Sequence, residues 1–349
     1  MPADQFPAVA RLRRPGLGLL VGVLLLGLVE AWLHTDGFLL KFRSVFAAGR
    51  AMDKVVYAQH HRPGLLILGN SRADNGFDPR IVLKHFDPAL ERGAFNLGLP
   101  GADMRVLAGI VERLDHAGVF GNDGTRIVLL SLDESLLQAI DTLGQDVFFA
   151  GARRLWAERQ FHDAFRATLR LYGYTENFRQ LREPAVLRRF IKALHADVDP
   201  VGGAAADHLG YRAGVGALQD DVAARQQEAG SAAPPSDVNV RRLWWTLDQL
   251  AARGVQVIVV HPPLLNREVL YLASDRPEAA PYRAIAQELH RRGLPRIALA
   301  PGMPRDPAEF VNAGHLNDRG AQRYSALLGQ ALRHRLEAPA TSPSQGVAR

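Results

Sequence analysis

A serine follows a short apolar run at Ser71, within the sequence LLILGNSRADNGFDP of residues 65–79. A serine that leaves a strand and opens a helix or a tight turn has an exposed hydroxyl with backbone N–H groups close by. An acyl-transfer nucleophile needs that arrangement. The alternative is a serine that only caps a helix where a strand ends. The residue type and its neighbours leave both interpretations open.

Two other segments contain residues that suit the same chemistry. The sequence FNLGLPGAD (95–103) places Gly98 and Gly101 where backbone N–H groups can approach a ligand without a side chain in the way. The sequence FVNAGHLNDRGAQRYS (310–325) places His315 in a predicted loop before the last helix. If the three segments meet, they bring a hydroxyl, an imidazole and backbone donors together.

The elements that would position these residues are predicted from hydrophobic patterns. Three apolar runs are typical of buried strands: GLLILG (64–69), RIVLLSLD (126–133) and GVQVIVVHPP (254–263). Each run is continuous rather than alternating, as in parallel sheets that helices cover on both faces. Ligands bind beyond the carboxyl ends of the strands in such sheets. The predicted site therefore lies at that edge.

Helical patterns alternate with these strands. The helices are predicted over residues 103–116, over VRRLWWTLDQLAARG (240–254) with Gly254 as its C-cap, over YRAIAQELHRRG (282–293) and over the last apolar stripe of Ala321, Tyr324 and Leu328. The sequence RIALA (296–300) is a further strand. This order predicts a doubly wound, mainly parallel α/β sheet flanked by helices, in a three-layer flavodoxin-like arrangement.

The N-terminus predicts one transmembrane helix. Three arginines precede an apolar run that extends from Gly16 through Glu30 to Leu33, long enough as a helix, at roughly 27 Å, to cross a bilayer core. The following residues offer no small-x-small cleavage site, which favours an uncleaved anchor over a signal peptide or a buried helix. The arginines stay in the cytoplasm and Trp32 suits the far interface, so the rest of the chain is expected on the extracytoplasmic, periplasmic side.

The remaining chain divides into one large domain and shorter segments. The predicted organisation is a cytoplasmic N-terminus (1–15), the anchor (16–33), a connecting helical segment (34–61), the α/β domain (62–336) and a disordered tail (337–349). Residues 151–237 interrupt the strand and helix order, first with aromatic and arginine-rich helical patterns and then with a segment of little periodicity. They are predicted to be a helical cap followed by a mobile loop.

Composition excludes several classes of function. The chain has no cysteine, which excludes disulfides, thiolate nucleophiles and thiolate metal sites. Hydrophobic residues make up 47% and charged residues 22%, as in ordinary globular proteins. The net charge of +6 is spread along the chain and no nucleic-acid-binding motif is present, so nucleic acid is not an expected partner.

The three segments resemble the sequence blocks of a known superfamily. Ser71 in LGNSRA, Gly101 in NLGLPGA and His315 in NAGHLNDRGA are similar to the first, second and fifth blocks of the SGNH (GDSL-type) hydrolases, in that order. The resemblance covers residues 62–133 and 254–335 and implies an SGNH-like sheet. It also implies that Ser71 is the nucleophile and His315 the general base, with the N–H groups of Ser71 and Gly101 as the oxyanion hole. No cofactor or metal is implied.

Two positions depart from the family pattern. The third block has Asp133 where the family has an oxyanion-binding Asn; a carboxylate there repels the oxyanion, and losing one donor costs on the order of 10²–10³ in turnover. The block-five acid, three residues before the histidine, is Asn312. Its amide can accept the Nδ1–H of His315 and orient the ring, but cannot stabilise an imidazolium by charge. Asp306 or Asp318 as a substitute acid, or a Ser-His dyad, remain alternatives.

Four residues near the predicted sheet edge are candidates for substrate binding: Arg72, Asn96, Asp133 and His261. Arg72 can bind an acidic glycan or an acyl-donor phosphate, or form a surface ion pair instead. His261 can line the pocket or pack in the core. Between positions 153 and 192, ten basic and four acidic residues alternate with aromatic ones, which suits a solvated face, a lid over a polyanionic glycan or contact with lipid headgroups.

The resemblance implies a membrane-anchored SGNH-like esterase or O-acyltransferase that acts on acyl groups, acetyl above all, of an envelope or exported polysaccharide. An alternative from another class is a catalytically impaired SGNH-fold protein that binds glycans or helps to assemble them, which Asn312 and Asp133 favour. A third is an acyltransferase that depends on a multi-span membrane partner to supply acyl groups. The sequence leaves the three open.

Overall fold

A computed structural model describes residues 15–86, 93–198, 208–214, 233–265, 277–297 and 304–337. The predicted cytoplasmic segment, except for Pro15, and the predicted tail after residue 337 lie outside the described residues. Most of the loop predicted at the end of the insertion lies outside them as well, although residues 208–214 and 233–237 are described.

The core of the protein is a five-stranded parallel sheet with strand order β2-β1-β3-β4-β5. The strands are β1 Leu65–Gly69, β2 Ala94–Gly98, β3 Ile127–Ser131, β4 Gln256–Val260 and β5 Arg296–Ile297. The predicted parallel α/β sheet is confirmed. Residues 298–300 of the predicted last strand lie outside the described residues.

The strand order reverses at β1, and this reversal places the site. The chain leaves β1 for β2 on one side and returns to β3 on the other, so a crevice opens beyond the carboxyl ends of β1 and β3. The register aligns these ends, with Gly69 beside Gly98 of β2. All five residues of β1 are buried, as expected of a strand with a partner on each side and helices on both faces.

Helices cover both faces of the sheet. Residues Leu66 and Leu68 pack into one hydrophobic core, and the alternate residues Leu65 and Ile67 pack into another, as the twofold periodicity of a strand requires. The first core includes α3 Ala47–His61, α6 Met104–His116, α14 Asp237–Ala252 and α15 Ala280–Arg291. The second includes α4 Ser71–Gly76, α5 Pro79–His85 and α16 Asp318–Glu337.

The predicted helix boundaries have clear local causes. The side chain of Asp103 accepts hydrogen bonds from the N–H groups of Arg105 and Val106 and so caps α6. Helix α14 ends at Ala252, and Gly254 follows it with φ +72°. A left-handed residue after a helix end favours glycine, so the predicted C-terminal signal is confirmed.

The N-terminal helix α1, Pro15–Leu33, joins the domain without a linker. Its residues Gly16–Leu33 are long and apolar enough to cross a membrane, judged by length and composition. Leu33 at its end is 1% exposed and belongs to the first core. Only His34 and Thr35 separate α1 from α2, Asp36–Lys41, which Thr35 caps. The predicted connecting segment therefore consists of the two helices α2 and α3.

The first part of the predicted insertion is helical. Two short helices, α7 Glu134–Leu137 and α8 Gln145–Phe149, come between β3 and the predicted insertion. The insertion itself begins with α9 Ala152–Ala157, α10 Phe161–Thr168, α11 Arg170–Gly173, α12 Thr175–Arg179 and α13 Pro184–Leu194. Helix α11 contacts α1. The insertion therefore packs beside the end of the apolar helix.

A small hairpin precedes the last helix. Its strands are β6 Phe310–Asn312 and β7 His315–Leu316, antiparallel, with Asn312 paired to His315. The sequence predicts a loop here. Strands of two or three residues show too little periodicity to be recognised, so the hairpin is a finding of the structure.

Candidate active site

Ser71 lies where β1 gives way to α4. The strand ends at Gly69, Asn70 is the N-cap, and Ser71 is the first residue of the helix. The side-chain oxygen of Asn70 accepts a hydrogen bond from the N–H of Arg72 at 2.9 Å. Since Asn70 provides the cap, the Ser71 hydroxyl is not needed for capping.

The Ser71 hydroxyl contacts the imidazole of His315. The distance from Oγ to Nε2 is 2.7 Å, although the two residues are 244 positions apart in the chain. Helix α4 contacts both strand β7, which carries His315, and the last helix α16. The end of β1 and the hairpin thus bring a hydroxyl and an imidazole to the same edge of the sheet.

Asn312 binds the other ring nitrogen of His315, Nδ1. Its Oδ1 lies 2.9 Å from His315 Nδ1 and accepts a hydrogen bond from the Gly314 N–H at 3.0 Å. Because a backbone N–H donates to this atom, it is the amide oxygen, and Nδ1 must donate to it. His315 Nε2 is then the unprotonated nitrogen, free to accept the Ser71 hydroxyl proton.

The environment of His315 favours the neutral imidazole. Burial lowers its pKa to about 4, the positive charge of Arg72 also lowers it, Asp133 opposes the shift, and Arg212 adds to it. A neutral imidazole can act as a base at neutral pH, but its basicity is weaker than that of an ordinary histidine.

The two predicted substitute acids have other contacts. Asp306 caps the short helical turn before β6 and accepts a hydrogen bond from the Ala308 N–H. Asp318 accepts hydrogen bonds from the Tyr211 hydroxyl at 2.6 Å and from the Gly214 N–H at 3.0 Å. Among the described residues, neither carboxylate forms a hydrogen bond or an ion pair with His315, and the partner of the ring Nδ1 is the neutral Asn312.

The predicted oxyanion donors, the N–H groups of Ser71 and Gly101, have no backbone acceptors in the part of the chain that the structure describes. Gly101 has φ +74°, a conformation that favours glycine. The Gly98 N–H, by contrast, donates to the Asn96 side chain at 2.7 Å. Of the two glycines singled out in the sequence, Gly98 therefore has its N–H engaged, whereas the N–H of Gly101 has no acceptor among the described residues.

The side chain of Asn96 binds the backbone of α4 and of the residue that follows it. Its side-chain amide donates to the carbonyl oxygens of Ala73 and Phe77 at 2.8 and 2.7 Å, and its oxygen accepts the Gly98 N–H. The residue is 0% exposed. Its polar atoms are therefore engaged with backbone groups, and its contacts are those of a positioning residue.

Asp133 belongs to a buried network of hydrogen bonds and one ion pair that includes Asn70 and Arg72, the two neighbours of Ser71 in the chain. Its carboxylate is 0% exposed and accepts hydrogen bonds from Asn70 Nδ2 and from the Ser135 N–H and hydroxyl. Arg72 Nη1 lies 3.1 Å from Asp133 Oδ2. Burial alone raises the pKa of Asp133, but the Arg72 charge and these hydrogen bonds together keep it below its usual range. The negative charge is therefore matched inside the protein, and Arg72 forms a partly buried ion pair.

His261 supports a neighbouring strand end. Its Nδ1 donates to the Leu132 carbonyl oxygen at 2.8 Å, and its Nε2 lies 3.1 Å from a guanidinium nitrogen of Arg296. Burial lowers the pKa of His261 to about 4. Both ring nitrogens are occupied, so His261 links β3, β4 and β5 beside the site.

A cavity of about 530 Å³ is bordered by Asp74 of α4. Arg50, Lys54, His208 and Arg212 line it. Lys54 is bound to Asp74 and to the Gly98 carbonyl oxygen, both at 2.6 Å. Within the described ranges, Arg50 and Arg212 form no ion pair, and the buried His208 Nδ1 has no hydrogen-bond partner.

Arg212 links the lining of this cavity to α4 and, through its charge, to His315. The Arg212 N–H donates to the Asp74 carbonyl oxygen in α4 at 3.0 Å, and the Arg212 charge reaches His315. Arg50, His208 and Arg212 were not found from the sequence because isolated basic residues have no distinctive spacing. The capping role of Asn70 could have been predicted from the sequence, since an asparagine directly before a helix start is a common cap.

No cluster of three or more His, Asp or Glu residues that could hold a metal ion occurs in the described part of the chain. Neither a protein-family model nor a curated protein matches this chain.

Proposed function

We propose that this protein is a membrane-anchored, extracytoplasmic esterase or O-acyltransferase of SGNH-like type, acting on acetyl or similar acyl groups of a polysaccharide. The observation that carries the proposal is the 2.7 Å contact between Ser71 Oγ and His315 Nε2. Support comes from the neutral state of the ring and from its orientation by Asn312. The sequence resemblance supplies the reaction type.

The reaction would proceed in two balanced halves. Ser71 Oγ attacks the ester carbonyl while His315 Nε2 takes the hydroxyl proton, and the N–H groups of Ser71 and Gly101 bind the oxyanion. His315 then gives its proton to the leaving sugar oxygen, which leaves an acyl-serine. Water or a second sugar hydroxyl attacks the acyl-serine by the same route and frees the serine.

The cavity beside α4 favours an acidic acceptor. Four cationic side chains line it (Arg43, Arg50, Lys54 and Arg212) together with two carboxylates (Asp53 and Asp74). Its lining therefore carries an excess of positive charge. The charged group of a sugar acid or another anionic saccharide bound in this volume would meet Arg50 and Arg212.

Several features support the anchor. Leu33, the last residue of α1, is buried in the core, and Glu30 near that end binds the insertion. Removing α1 at a cleavage site after it would expose this packing. An uncleaved helix with the domain on the far side of the membrane fits both the contacts and the arginines before the helix.

The test is acyl release by the full chain in detergent, with Ser71→Ala as the variant. Release of p-nitrophenol from p-nitrophenyl acetate is expected to fall by at least about 100-fold, and a fluorophosphonate probe is expected to add its mass at Ser71 only in the natural sequence. Ser236→Ala is the matched control because that hydroxyl makes no capping hydrogen bond. Equal rates in the natural protein and the Ser71→Ala variant would remove the enzyme proposal.

A second candidate is a glycan-binding protein without turnover. The observation that favours it is the neutral partner of His315, since Asn312 cannot stabilise an imidazolium by charge. Binding of an acidic oligosaccharide, unchanged by Ser71→Ala and without acyl release, would support this second function. Acyl transfer seen only when an acceptor glycan is added would instead favour a transferase.

A further inference from the structure

All but one of the exposed large hydrophobic residues in the described chain lie in two parts of it. Apart from α1 and Leu143, all of them lie between residues 156 and 198. They form what we name the insertion patch: Trp156, Phe161, Phe165, Leu169, Leu171, Tyr172, Leu187, Ile191, Leu194 and Val198. Soluble surfaces rarely expose so many large apolar side chains in one segment.

Helix α13 carries apolar residues on a buried face and on an exposed face. Its inward stripe of Val186, Phe190 and Ala193 packs on the domain, with the Phe190 ring stacked on Phe42 at 4.5 Å. A second apolar stripe is exposed: Leu187, Ile191 and Leu194. By helical geometry this stripe is turned roughly 100° from the first. The helix therefore has two apolar faces, and the domain covers one of them.

Helices α10 and α11 also carry exposed aromatic side chains. Phe161 and Phe165, one turn apart on α10, are 59% and 44% exposed. Their rings contact Trp156 and Tyr172, with centroids 6.0 and 5.4 Å apart. The exposed aromatic rings therefore form a connected surface across α9, α10 and α11.

The insertion patch is continuous with the end of α1. The Glu30 carboxylate accepts hydrogen bonds from the N–H groups of Arg170 and Leu171, at 2.6 and 2.9 Å. Arg170 also donates to the Leu33 carbonyl oxygen at 3.1 Å. On the α13 side, Lys41 Nζ donates to the Ala196 carbonyl oxygen at 3.1 Å. One flank of the patch is thus bound to the end of α1, and the other is bound to the end of α2.

Basic residues accompany the patch. Arg188, Arg189 and Lys192 of α13 are exposed beside its outer stripe, and the run from 153 to 192 has ten basic and four acidic residues. Aromatic and aliphatic side chains with flanking Lys and Arg are typical of surfaces that lie in the interface of a bilayer with anionic lipids.

We propose that the insertion patch lies in the outer interface of the bilayer that α1 crosses, so that helices α9–α13 are a monotopic membrane-binding element. The inference rests on the proposed anchor role of α1. It goes beyond acyl transfer, because it assigns a lipid-binding role to the insertion and a fixed face of the domain to the membrane.

The natural absence of cysteine allows a direct test with single-cysteine probes in the full chain. Ile191→Cys and Phe165→Cys carry an environment-sensitive fluorophore in nanodiscs of phosphatidylcholine and phosphatidylglycerol. Gln322→Cys is the exposed control, since α16 packs on the opposite face of the sheet from α1. Leu24→Cys within α1 reports on the anchor.

Nitroxide-labelled lipid is expected to quench the probes at Ile191 and Phe165 several-fold more than the probe at Gln322, and aqueous iodide is expected to show the reverse. Quenching at Leu24 with none at Ile191 and Phe165 would overturn the patch proposal and leave the anchor intact. No lipid quenching at any position would overturn both. Protection of the patch probes from both quenchers, with disulfide crosslinks between copies, would show that a second copy covers the patch and would also overturn the proposal.

Discussion

At the scale of single residues, Asn312 decides the chemistry that His315 can do. The amide orients the ring through Nδ1 and leaves Nε2 for the Ser71 hydroxyl, but it supplies no charge to stabilise an imidazolium. The site is therefore arranged for proton transfer with a weak base.

The lowered pKa of His315 predicts how the proposed acyl transfer depends on pH. His315 must be unprotonated to act as the base, so activity rises with pH through its pKa, which burial lowers to about 4. We expect kcat/KM to be half-maximal near pH 4 and flat at neutral pH, measured as acetate release from a soluble acetyl ester. A half-maximal point near pH 6.5 would contradict the described environment of the ring.

Asn312→Asp would add the missing charge. A carboxylate beside Nδ1 favours the protonated ring and raises the pKa of His315, so the acid limb of the pH profile is expected to move to higher pH. Turnover at neutral pH is expected to rise, because the imidazolium formed in the transition state gains a counter-charge. Asn312→Ala is the control and is expected to lower turnover without moving the limb upward. An unmoved limb in Asn312→Asp would show that this side chain does not act on the ring.

At the scale of elements, the contact between α4 and β2 sets the position of Ser71. A methyl group on Gly98 would lie 2.3 Å from the Asp74 backbone nitrogen and 2.8 Å from the Ala73 carbonyl carbon. Backbone atoms cannot turn aside as a side chain can, so α4 would have to shift.

Gly98→Ala is therefore expected to reduce both stability and activity. Overpacking of this kind costs about 1–3 kcal/mol, which a lowered denaturant midpoint would report, and the shift of α4 would separate Ser71 from His315. Gly76→Ala is the matched control, because a methyl group there meets only Leu316 Cδ1, at 3.7 Å. Similar losses in both variants would contradict a specific role for the Gly98 contact.

The elements also show what sequence reasoning can reach. Strands β1, β3 and β4 were predicted because continuous apolar runs mark strands covered on both faces. The hairpin that holds His315 was not, because its strands are too short for a pattern. The roles of Asn96 and Asp133 were also beyond the sequence, which gives residue types but not which way a side chain turns. Both were candidates for substrate contact, and both are 0% exposed.

At the scale of the whole molecule, Glu30 ties the apolar helix to the insertion. Its carboxylate occupies the N-terminal N–H groups of α11, where negative charge is favourable. The position also explains why an acidic residue interrupts the apolar run near its end.

Glu30→Ala is expected to loosen this junction. Without the carboxylate, the first turn of α11 loses two acceptors, so trypsin cleavage near Arg170 is expected to become several-fold faster in nanodiscs. Glu112→Ala is the control, because it removes the ion pair with Arg154 of α9 without touching α11. Unchanged cleavage at Arg170 would mean that the junction holds without Glu30.

The two-residue turn between α1 and α2 has a consequence for reach. A domain on a long tether can sweep a wide volume, whereas one joined through His34 and Thr35 alone stands at a set height. If α1 crosses the bilayer, Ser71 lies within about 50 Å of the lipid, the diameter typical of a domain of this length. On the function proposed above, its target would then be a polymer leaving the membrane, met while it is still being exported, rather than a finished outer layer.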